Sequence, residues 1–340
     1  MKTISYKCPN CGGGLQFDPV SQGYKCEYCS SAFLQKELDI LYASENEQAE
    51  EEHLAMYECP SCGAQITTDE TTAATFCYYC HNPVVLIGKM QGEYRPDYVL
   101  PFKIGRDQAV RIFSDWIQRK RFVPRNFYSQ SQIEKLTGVY YPYLLYSCTV
   151  DGNMEADAKQ FRKWRMGDIE FTEIKRFLVQ RAGKMEVNHV MRNALSKEEG
   201  ELPEKVLPFN LDEMQDFKAG VLSGFVAESR NLESEAFQRE VDDEVKSFAR
   251  EAMRGSIQGF SNVNPHRTDM NILSPDWKYM LLPVWALTYQ ENGKTYYFTL
   301  NGQSGQVHGE LPVDKKRLLM LFFGVFIPLF IIMLGGLLLV

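Results

Sequence analysis

Residues 8–29 read CPNCGGGLQFDPVSQGYKCEYC, and residues 59–80 read CPSCGAQITTDETTAATFCYYC. Each stretch contains two Cys-x-x-Cys pairs with 14 residues between them, and every cysteine of the first stretch recurs 51 positions later. An identical spacing of this kind indicates an internal repeat. The N-terminal region is therefore predicted to contain two copies of one small module.

The residue type and spacing in each module are those of a four-cysteine metal site. Two Cys-x-x-Cys knuckles place four sulfurs about 2.3 Å from one ion, in the tetrahedron that zinc prefers. A lone pair could be a redox dithiol, but here each pair has a partner at zinc-ribbon spacing. Because four thiolates leave no open position for water, two structural Zn²⁺ ions are predicted. The predicted ligands are Cys8, Cys11, Cys26 and Cys29 for one ion and Cys59, Cys62, Cys77 and Cys80 for the other.

The charge of the ribbons argues against binding to nucleic acid. The chain of 340 residues carries a net charge of −7. Residues 1–34 contain three lysines against two acidic residues, and residues 57–87 contain no Lys or Arg. Phosphate binding depends on Lys and Arg, which release counterions. The ribbons are therefore predicted to be structural modules or sites of protein contact.

The middle of the chain is predicted to be an α+β body with an internal repeat. Residues 99–104, VLPFKI, recur as residues 206–211, VLPFNL. Apolar residues at helical spacing follow each segment, over 109–117 and 214–225, and again over 234–253. The pattern predicts two related α+β halves.

Strand-like runs in the body are divided by turn signals. Asn292-Gly293 separates two such runs and is a strong hairpin signal. Asp151-Gly152 and Ala182-Gly183 predict two further turns in the same way. The body is therefore expected to contain several short strands.

The body lacks the sequence pattern of a catalytic site. It has no Gly-x-Gly-x-x-Gly, no Walker loop and no His-Glu-x-x-His motif. The ninth cysteine, Cys148, lies in an apolar run, which is typical of a buried and unreactive thiol. The chain is therefore predicted not to be an enzyme.

Two segments of the body are rich in basic residues. Residues 103–125 contain seven Lys or Arg against two acids, and residues 159–192 contain nine against four. Solvated surface is the simplest interpretation. A basic surface facing anionic lipid headgroups is the second, and a nucleic-acid patch is the third.

The C-terminal segment predicts a membrane anchor. Residues 318–340, LLMLFFGVFIPLFIIMLGGLLLV, contain no charged residue and follow Lys315, Lys316 and Arg317. A helix of this length would measure about 35 Å, enough to cross a bilayer. The positive-inside rule then places the rest of the chain in the cytoplasm. The sequence thus predicts a single-pass protein of the cell membrane with no secretory signal.

These patterns give the fold class and domain boundaries predicted for the whole chain. The chain is expected to be a multidomain protein with two zinc ribbons, an α+β body and one transmembrane helix. The boundaries are ribbon 1 at 1–35, an acidic linker able to form a helix at 36–56, ribbon 2 at 57–88, the body at 89–313 and the transmembrane helix at 318–340.

The ribbons, the Leu-Pro-Phe segments, Ser223-Gly224-Phe225 and Asn301-Gly302-Gln303 together support a family resemblance. The chain resembles the bacterial TFIIB-type zinc-ribbon proteins that carry a C-terminal membrane anchor. This resemblance implies work with phage-shock (PspA-like) and flotillin-like SPFH proteins in envelope stress. It also implies that the eight cysteines are the functional residues.

The expected function is that of an adaptor rather than an enzyme. Held at the cytoplasmic membrane face, the ribbons and the body would recruit or scaffold protein partners. The alternative is a nucleic-acid-binding zinc-ribbon regulator tethered to the membrane. No small-molecule substrate is evident.

Overall fold

The computed structural model describes most of the chain outside the second cysteine quartet. The described residues are 7–42, 54–58, 65–69, 85–90, 95–120, 122–124, 127, 130–196, 201–291 and 294–337.

The described chain is mostly β-sheet. Its strands are β1 (Leu15–Asp18), β2 (Gly23–Cys26), β3 (Ala32–Leu34), β4 (Leu54–Glu58), β5 (Gln65–Asp69), β6 (Val85–Met90), β7 (Tyr98–Val99), β8 (Thr137–Met166), β9 (Ile169–Asn193), β10 (Gln215–Asp216), β11 (Val226–Glu228), β12 (Asn262–Glu291), β13 (Lys294–Asn301) and β14 (Val307–Gly309). The α-helices are α1 (Gln35–Leu41), α2 (Arg106–Gln118), α3 (Gln130–Ile133), α4 (Glu201–Glu204), α5 (Gln238–Gly255) and α6 (Lys315–Leu337).

The strands form two sheets. Strands β1, β2 and β3 make a three-stranded sheet of their own. The remaining described strands form one larger sheet in the order β10-β7-β12-β8-β11-β5-β4-β6. Beside this path, β9 pairs with β8, β13 with β12, and β14 with β13.

The chain divides into two compact units, and neither is continuous in sequence. The first unit contains residues 1–142, 197–229 and 281–340, and the second contains residues 143–196 and 230–280. The long strands β8 and β12 each contribute residues to both units. The chain therefore changes from one unit to the other within strands.

Four buried aromatic side chains form the centre of the first unit. The ring of Phe102 stacks on that of Phe225, with centroids 4.4 Å apart. Its centroid lies 5.0 Å from that of Tyr140 and 5.2 Å from that of Trp285. Stacked and edge-on geometries of this kind stabilise a core beyond the area they bury. A Cβ at Gly302 would lie 2.6 Å from the Phe102 ring, so the missing side chain makes room for the cluster.

The buried side chain of Asn301 joins the two Leu-Pro-Phe segments. Its Nδ2 donates to the carbonyl oxygens of Val206 and Pro208, at 2.8 and 3.1 Å. Next to it, the Gly302 carbonyl accepts from the backbone N–H groups of Lys103 and Ile104, both at 2.9 Å. Residues 99–104 and 206–211, similar in sequence, are thus hydrogen-bonded to one turn.

The predicted fold class is corrected by the segments that follow these two motifs. Residues 99–104 lead into helix α2, as predicted. Residues 206–211 lead instead into the short 3₁₀ turns Leu211–Glu213 and Ala219–Leu222, with strand β10 between them. The second predicted helix is therefore wrong, and the body is dominated by sheet rather than built from two α+β halves.

The second unit is built on the hairpin of β8 and β9. Their register is continuous from Cys148 opposite Val187 to Met166 opposite Ile169. Helix α5 packs on one face of the hairpin, as the predicted amphipathic pattern requires. The shared core contains Cys148, Val150, Met154, Ala156, Ala158, Val179, Val241, Val245, Ala249 and Met253. Cys148 is buried as predicted, and this burial raises the pKa of its thiol.

Two of the predicted turns are absent from this hairpin. Gly152 and Gly183 lie directly opposite one another inside β8 and β9, so the turns predicted at both glycines are wrong. A Cβ at Gly152 would lie 2.6 Å from Met253 Cε and 3.0 Å from Met270 Sδ. Gly152 therefore permits close packing in the core rather than a chain reversal. The third turn signal holds, because Glu291 pairs with Lys294 across residues 292–293.

The prediction of a transmembrane helix at 318–340 is contradicted. In the part of the chain that the structure describes, no helix combines the length and the apolar character needed to cross a bilayer. Helix α6 spans Lys315–Leu337 and begins with three cations. The predicted single-pass localisation in the cell membrane is corrected with it, and residues 338–340 lie outside the described residues.

Candidate metal centre

The first ribbon is a small sheet with a minimal core. Strands β1 and β2 pair antiparallel with Leu15 opposite Cys26 and Phe17 opposite Tyr24. Leu15, Phe17 and Tyr24 are buried, and the rings of Phe17 and Tyr24 meet edge to face at 5.7 Å. So few apolar side chains cannot stabilise a fold of this size without a further constraint.

The two Cys-x-x-Cys knuckles have the same backbone hydrogen bonds. In the first, the Cys8 N–H donates to the Gly13 carbonyl and the Gly12 N–H donates to the Cys8 carbonyl. In the second, the Cys26 N–H donates to the Ser31 carbonyl and the Ser30 N–H to the Cys26 carbonyl. The sequence repeat within the module is thus a repeat of local geometry.

Each knuckle closes through a residue in the left-handed region of backbone space. Gly12 has φ +75°, which glycine adopts freely. Ser30 occupies the equivalent place in the second knuckle with φ +58°, a conformation that L-residues with a Cβ rarely adopt. The ribbon therefore holds Ser30 in a strained conformation to bring Cys29 to its place.

The four sulfurs of the first predicted quartet lie together. Those of Cys8, Cys11, Cys26 and Cys29 are all within 4.8 Å of one another. Cys8 Sγ is 3.4 Å from Cys29 Sγ, and Cys11 Sγ is 3.5 Å from Cys26 Sγ. These separations exceed a disulfide bond of about 2.05 Å. They approach the sulfur–sulfur edge of about 3.8 Å that a tetrahedron with 2.3 Å metal–sulfur bonds would have.

The electrostatics of the cluster require a cation if all four thiols are to ionise. Hydrogen bonding with Ser31 lowers the pKa of Cys29 to about 6, which favours its thiolate. Although the Gly13 backbone lowers it, the sulfurs of Cys26 and Cys29 raise the pKa of Cys11 to about 12. A divalent ion bound among the sulfurs would reverse that effect and release the remaining protons. The residues present therefore fit a metal ion.

Two polar side chains beside the cysteines were not found from the spacing. Ser31 Oγ lies 3.2 Å from Cys29 Sγ and accepts a 2.9 Å hydrogen bond from Asn10 Nδ2. Asn10 belongs to the first knuckle, and Ser31 follows the second. These two side chains connect the knuckles outside the sulfur cluster. The Cys-x-x-Cys spacing does not identify them because it locates only the cysteines.

The first ribbon is seated on the body of its own unit. The Phe17 N–H donates to the Ser223 carbonyl at 3.3 Å. Gln22 Nε2 donates to the Phe102 carbonyl at 2.7 Å, and Lys218 forms a 2.8 Å ion pair with Asp39. The ribbon therefore packs against the rest of the first unit and does not form a separate domain.

The second quartet is not placed by the structure. Cys59, Cys62, Cys77 and Cys80 lie outside the described residues. Strands β4, β5 and β6, which flank these cysteines in sequence, pair with one another. Within the described ranges, the first quartet is the group of His, Cys, Asp or Glu side chains that could hold a metal ion. The prediction of a second ion remains a prediction.

Comparison with known proteins gives one extended similarity. The chain is 28% identical over 326 residues to a Bacillus subtilis (strain 168) protein named "Uncharacterized protein YdjG". The alignment covers 95% of this chain and 94% of the relative. No protein-family model matches the chain, and no solved structure matches it. The similarity thus spans both units and assigns no activity.

Proposed function

We propose that this chain is a non-enzymatic zinc-ribbon adaptor that binds protein partners through its first ribbon. The supporting observation is a set of exposed apolar side chains on the ribbon and on α1. Tyr28 is 82% exposed and Ile40 is 76% exposed. Leu34 and Leu41 are also exposed. Large apolar side chains in contact with water on a rigid module are typical of a protein-contact surface.

The charge of this surface supports a protein partner over nucleic acid. The described residues 7–42 contain three lysines and four acidic residues. A surface of this composition has no excess of cations to neutralise phosphate. Exposed tyrosine, in contrast, is enriched where proteins bind proteins.

Zinc is the metal we propose for the cysteine cluster. Four thiolates placed so that they can surround one ion tetrahedrally are the ligands that Zn²⁺ prefers. A zinc site closed by four protein ligands has a structural role. The residues that would hold it are Cys8, Cys11, Cys26 and Cys29. The ion would keep the two knuckles together and thereby hold Tyr28 in place.

The proposed partners are scaffold proteins. The family resemblance implies PspA-like and SPFH or flotillin-like proteins, and a role in envelope stress. The similarity to the Bacillus subtilis protein supports this proposal only through shared sequence, since its name states no partner.

A site-specific crosslink tests the adaptor proposal. A photoreactive amino acid in place of Tyr28 should crosslink the full chain to one or a few proteins in cells, and nuclease should not change the pattern. Ile40→Ser should weaken the crosslink several-fold. Lys36→Ala, on the same helix, should leave it unchanged and serves as the control. Absence of any protein crosslink at Tyr28, or a crosslink that Ile40→Ser leaves intact, would refute docking through this surface.

A nucleic-acid regulator is the second candidate, and one observation favours it. In the β8–β9 hairpin, Lys159, Arg176 and Lys184 have no carboxylate partner within the described chain. A regulator of this kind should bind duplex DNA with an affinity that falls steeply with salt. Binding that is absent at low salt, or that does not change with salt, excludes this candidate.

A further inference from the structure

The outer edge of strand β9 has no partner strand. Within the described chain, β9 (Ile169–Asn193) pairs with β8 alone. The strand is 25 residues long, and most of its residues are exposed. A long open edge presents a row of backbone N–H and C=O groups that can pair with another strand. The edge therefore needs either a partner or a device that prevents pairing.

The charges along this edge are unevenly placed. Glu170 and Glu173 lie near its beginning, and Arg181 and Lys184 lie further along. Charged side chains prevent indiscriminate pairing of an edge strand. They can also select one register, because opposite charges attract across paired strands and like charges repel.

We propose that two copies of this chain associate by antiparallel pairing of their β9 strands about a two-fold axis at Phe177. In this register Glu173 lies opposite Arg181 of the second copy, and Glu170 lies opposite Lys184. By symmetry each of these ion pairs forms twice. The paired segment runs from residue 169, which lies opposite residue 185, and so ends before the irregular stretch at His189.

No other antiparallel self-register of β9 gives the same charge match. With the axis at Phe177, two glutamates face cations and no two like charges lie opposite one another. An axis at Arg181 also places two glutamates opposite cations, Glu170 against Arg192 and Glu186 against Arg176, but it brings Arg181 against Arg181 of the second copy. Every remaining axis within the strand places at most one glutamate opposite a cation. The charge pattern therefore specifies a single alignment.

The ion pairs already present leave the required cations available. Lys163 Nζ forms an ion pair with Glu170 Oε1 at 3.1 Å, and Lys175 Nζ forms one with Glu173 Oε1 at 3.7 Å. Arg181 and Lys184 have no carboxylate partner within the described chain. Pairing about Phe177 would supply each of them with one. The contact between the two copies would thus include the cations that have no carboxylate partner within a single copy.

The apolar side chains of the strand fit the same register. Leu178 is 65% exposed and would lie opposite Arg176 of the second copy, whose alkyl part can cover it. Phe177, 39% exposed, would face its own copy across the axis. Hydrogen bonds along the edge and the covering of these side chains would both stabilise the pair.

Charge reversal with rescue tests the register. The wild-type full chain in mild detergent should sediment as a dimer at micromolar concentration. Glu173→Arg and Arg181→Glu should each raise the dimer Kd by at least about tenfold, because each replaces two ion pairs by two like-charge contacts. The double variant should restore the wild-type Kd within about threefold. Glu251→Arg on helix α5, away from the edge, is the control and should leave the Kd unchanged.

A crosslink distinguishes this contact from association through the exposed apolar helix α6. Phe177→Cys should form a disulfide-linked dimer on oxidation with copper phenanthroline, beyond any background of the wild-type chain. Lys175→Cys should not, since in this register the two introduced cysteines are offset by four residues, about 14 Å.

Three results would overturn the proposal: a monomeric wild-type chain, single reversals without effect, or a double variant that is not restored. A dimer that crosslinks through residue 175 in preference to residue 177 would also refute this register. Because neither measurement involves the ribbon surface, failure here is separate from failure of the adaptor proposal.

Discussion

The burial of one carboxyl group in strand β11 lowers the free energy of unfolding at neutral pH. Glu228 is 2% exposed, and its Oε2 has no hydrogen-bond partner within the described chain. Burial raises the pKa of this carboxyl well above its ordinary value of 4.5. No sequence pattern indicates this burial, since strand β11 (Val226–Glu228) is too short for a periodic pattern. Its burial depends on strands β5 and β8, which pair with β11 from distant parts of the chain.

Glu228→Gln should stabilise the protein at neutral and alkaline pH. Above pH 4.5 the unfolded state releases the proton of Glu228 while the folded state retains it. The free energy of unfolding therefore falls as pH rises from about 4.5 towards the folded pKa, and it is unaffected below that range. The amide removes this loss and should add on the order of 1 kcal/mol at pH 8.

Urea denaturation at pH 4, 6 and 8 measures this effect. Glu204→Gln, an exposed change in the same unit, is the control and should have little effect at any pH. A Glu228→Gln protein that is less stable than wild type at pH 8 would contradict the expectation.

At the scale of elements, sequence patterns located what is local and failed where distant residues decide. The apolar periodicity of α2 and α5 and the spacing of Cys8 to Cys29 are set by neighbours in sequence, and these predictions hold. The dipeptides at Gly152 and Gly183 look like turns because glycine is common there. At Gly152 the missing side chain instead makes room for Met253 and Met270, which lie about 100 residues away in sequence. The residues next to the glycine do not show this.

Gly152→Ala should destabilise the second unit, whereas Gly183→Ala should not. The new methyl group at residue 152 would lie 2.6 Å from Met253 Cε, so the flexible end of this methionine has to shift within the core, which should cost on the order of 1 kcal/mol. Gly183, its partner across the hairpin, has no atom within 4 Å of the corresponding position. Thermal unfolding of the two variants measures the difference. Equal stabilities would show that the packing around Met253 yields without cost.

At the scale of the whole molecule, the protein combines a small ribbon whose four cysteines could hold a metal ion with a second unit that has its own core. The ribbon has few buried apolar residues, whereas the second unit has a continuous core beneath α5. Binding of a metal supplies folding free energy to small modules that lack a core. Loss of the ion should therefore act on one part of the chain.

Chelation should unfold the first ribbon and leave the second unit intact. Treatment with a strong zinc chelator should abolish amide protection in residues 7–34 and expose the four thiols to alkylation. The strands β8 and β9 should keep their protection, and hydrogen exchange with mass spectrometry reads both regions in one experiment. Unchanged exchange in the ribbon after complete metal removal would show that its own packing suffices.

The interleaved order of the first unit has a consequence for synthesis on the ribosome. Trp285 Nε1 donates to the Ile104 carbonyl, a contact that joins residues 181 positions apart. At about 5–20 residues per second, the nascent chain carries Phe102 for roughly 9–36 s before that partner is made. The ribbon can close as soon as Cys29 has left the exit tunnel. The aromatic centre of the body has to wait for β12, and until then its surfaces are substrates for chaperones.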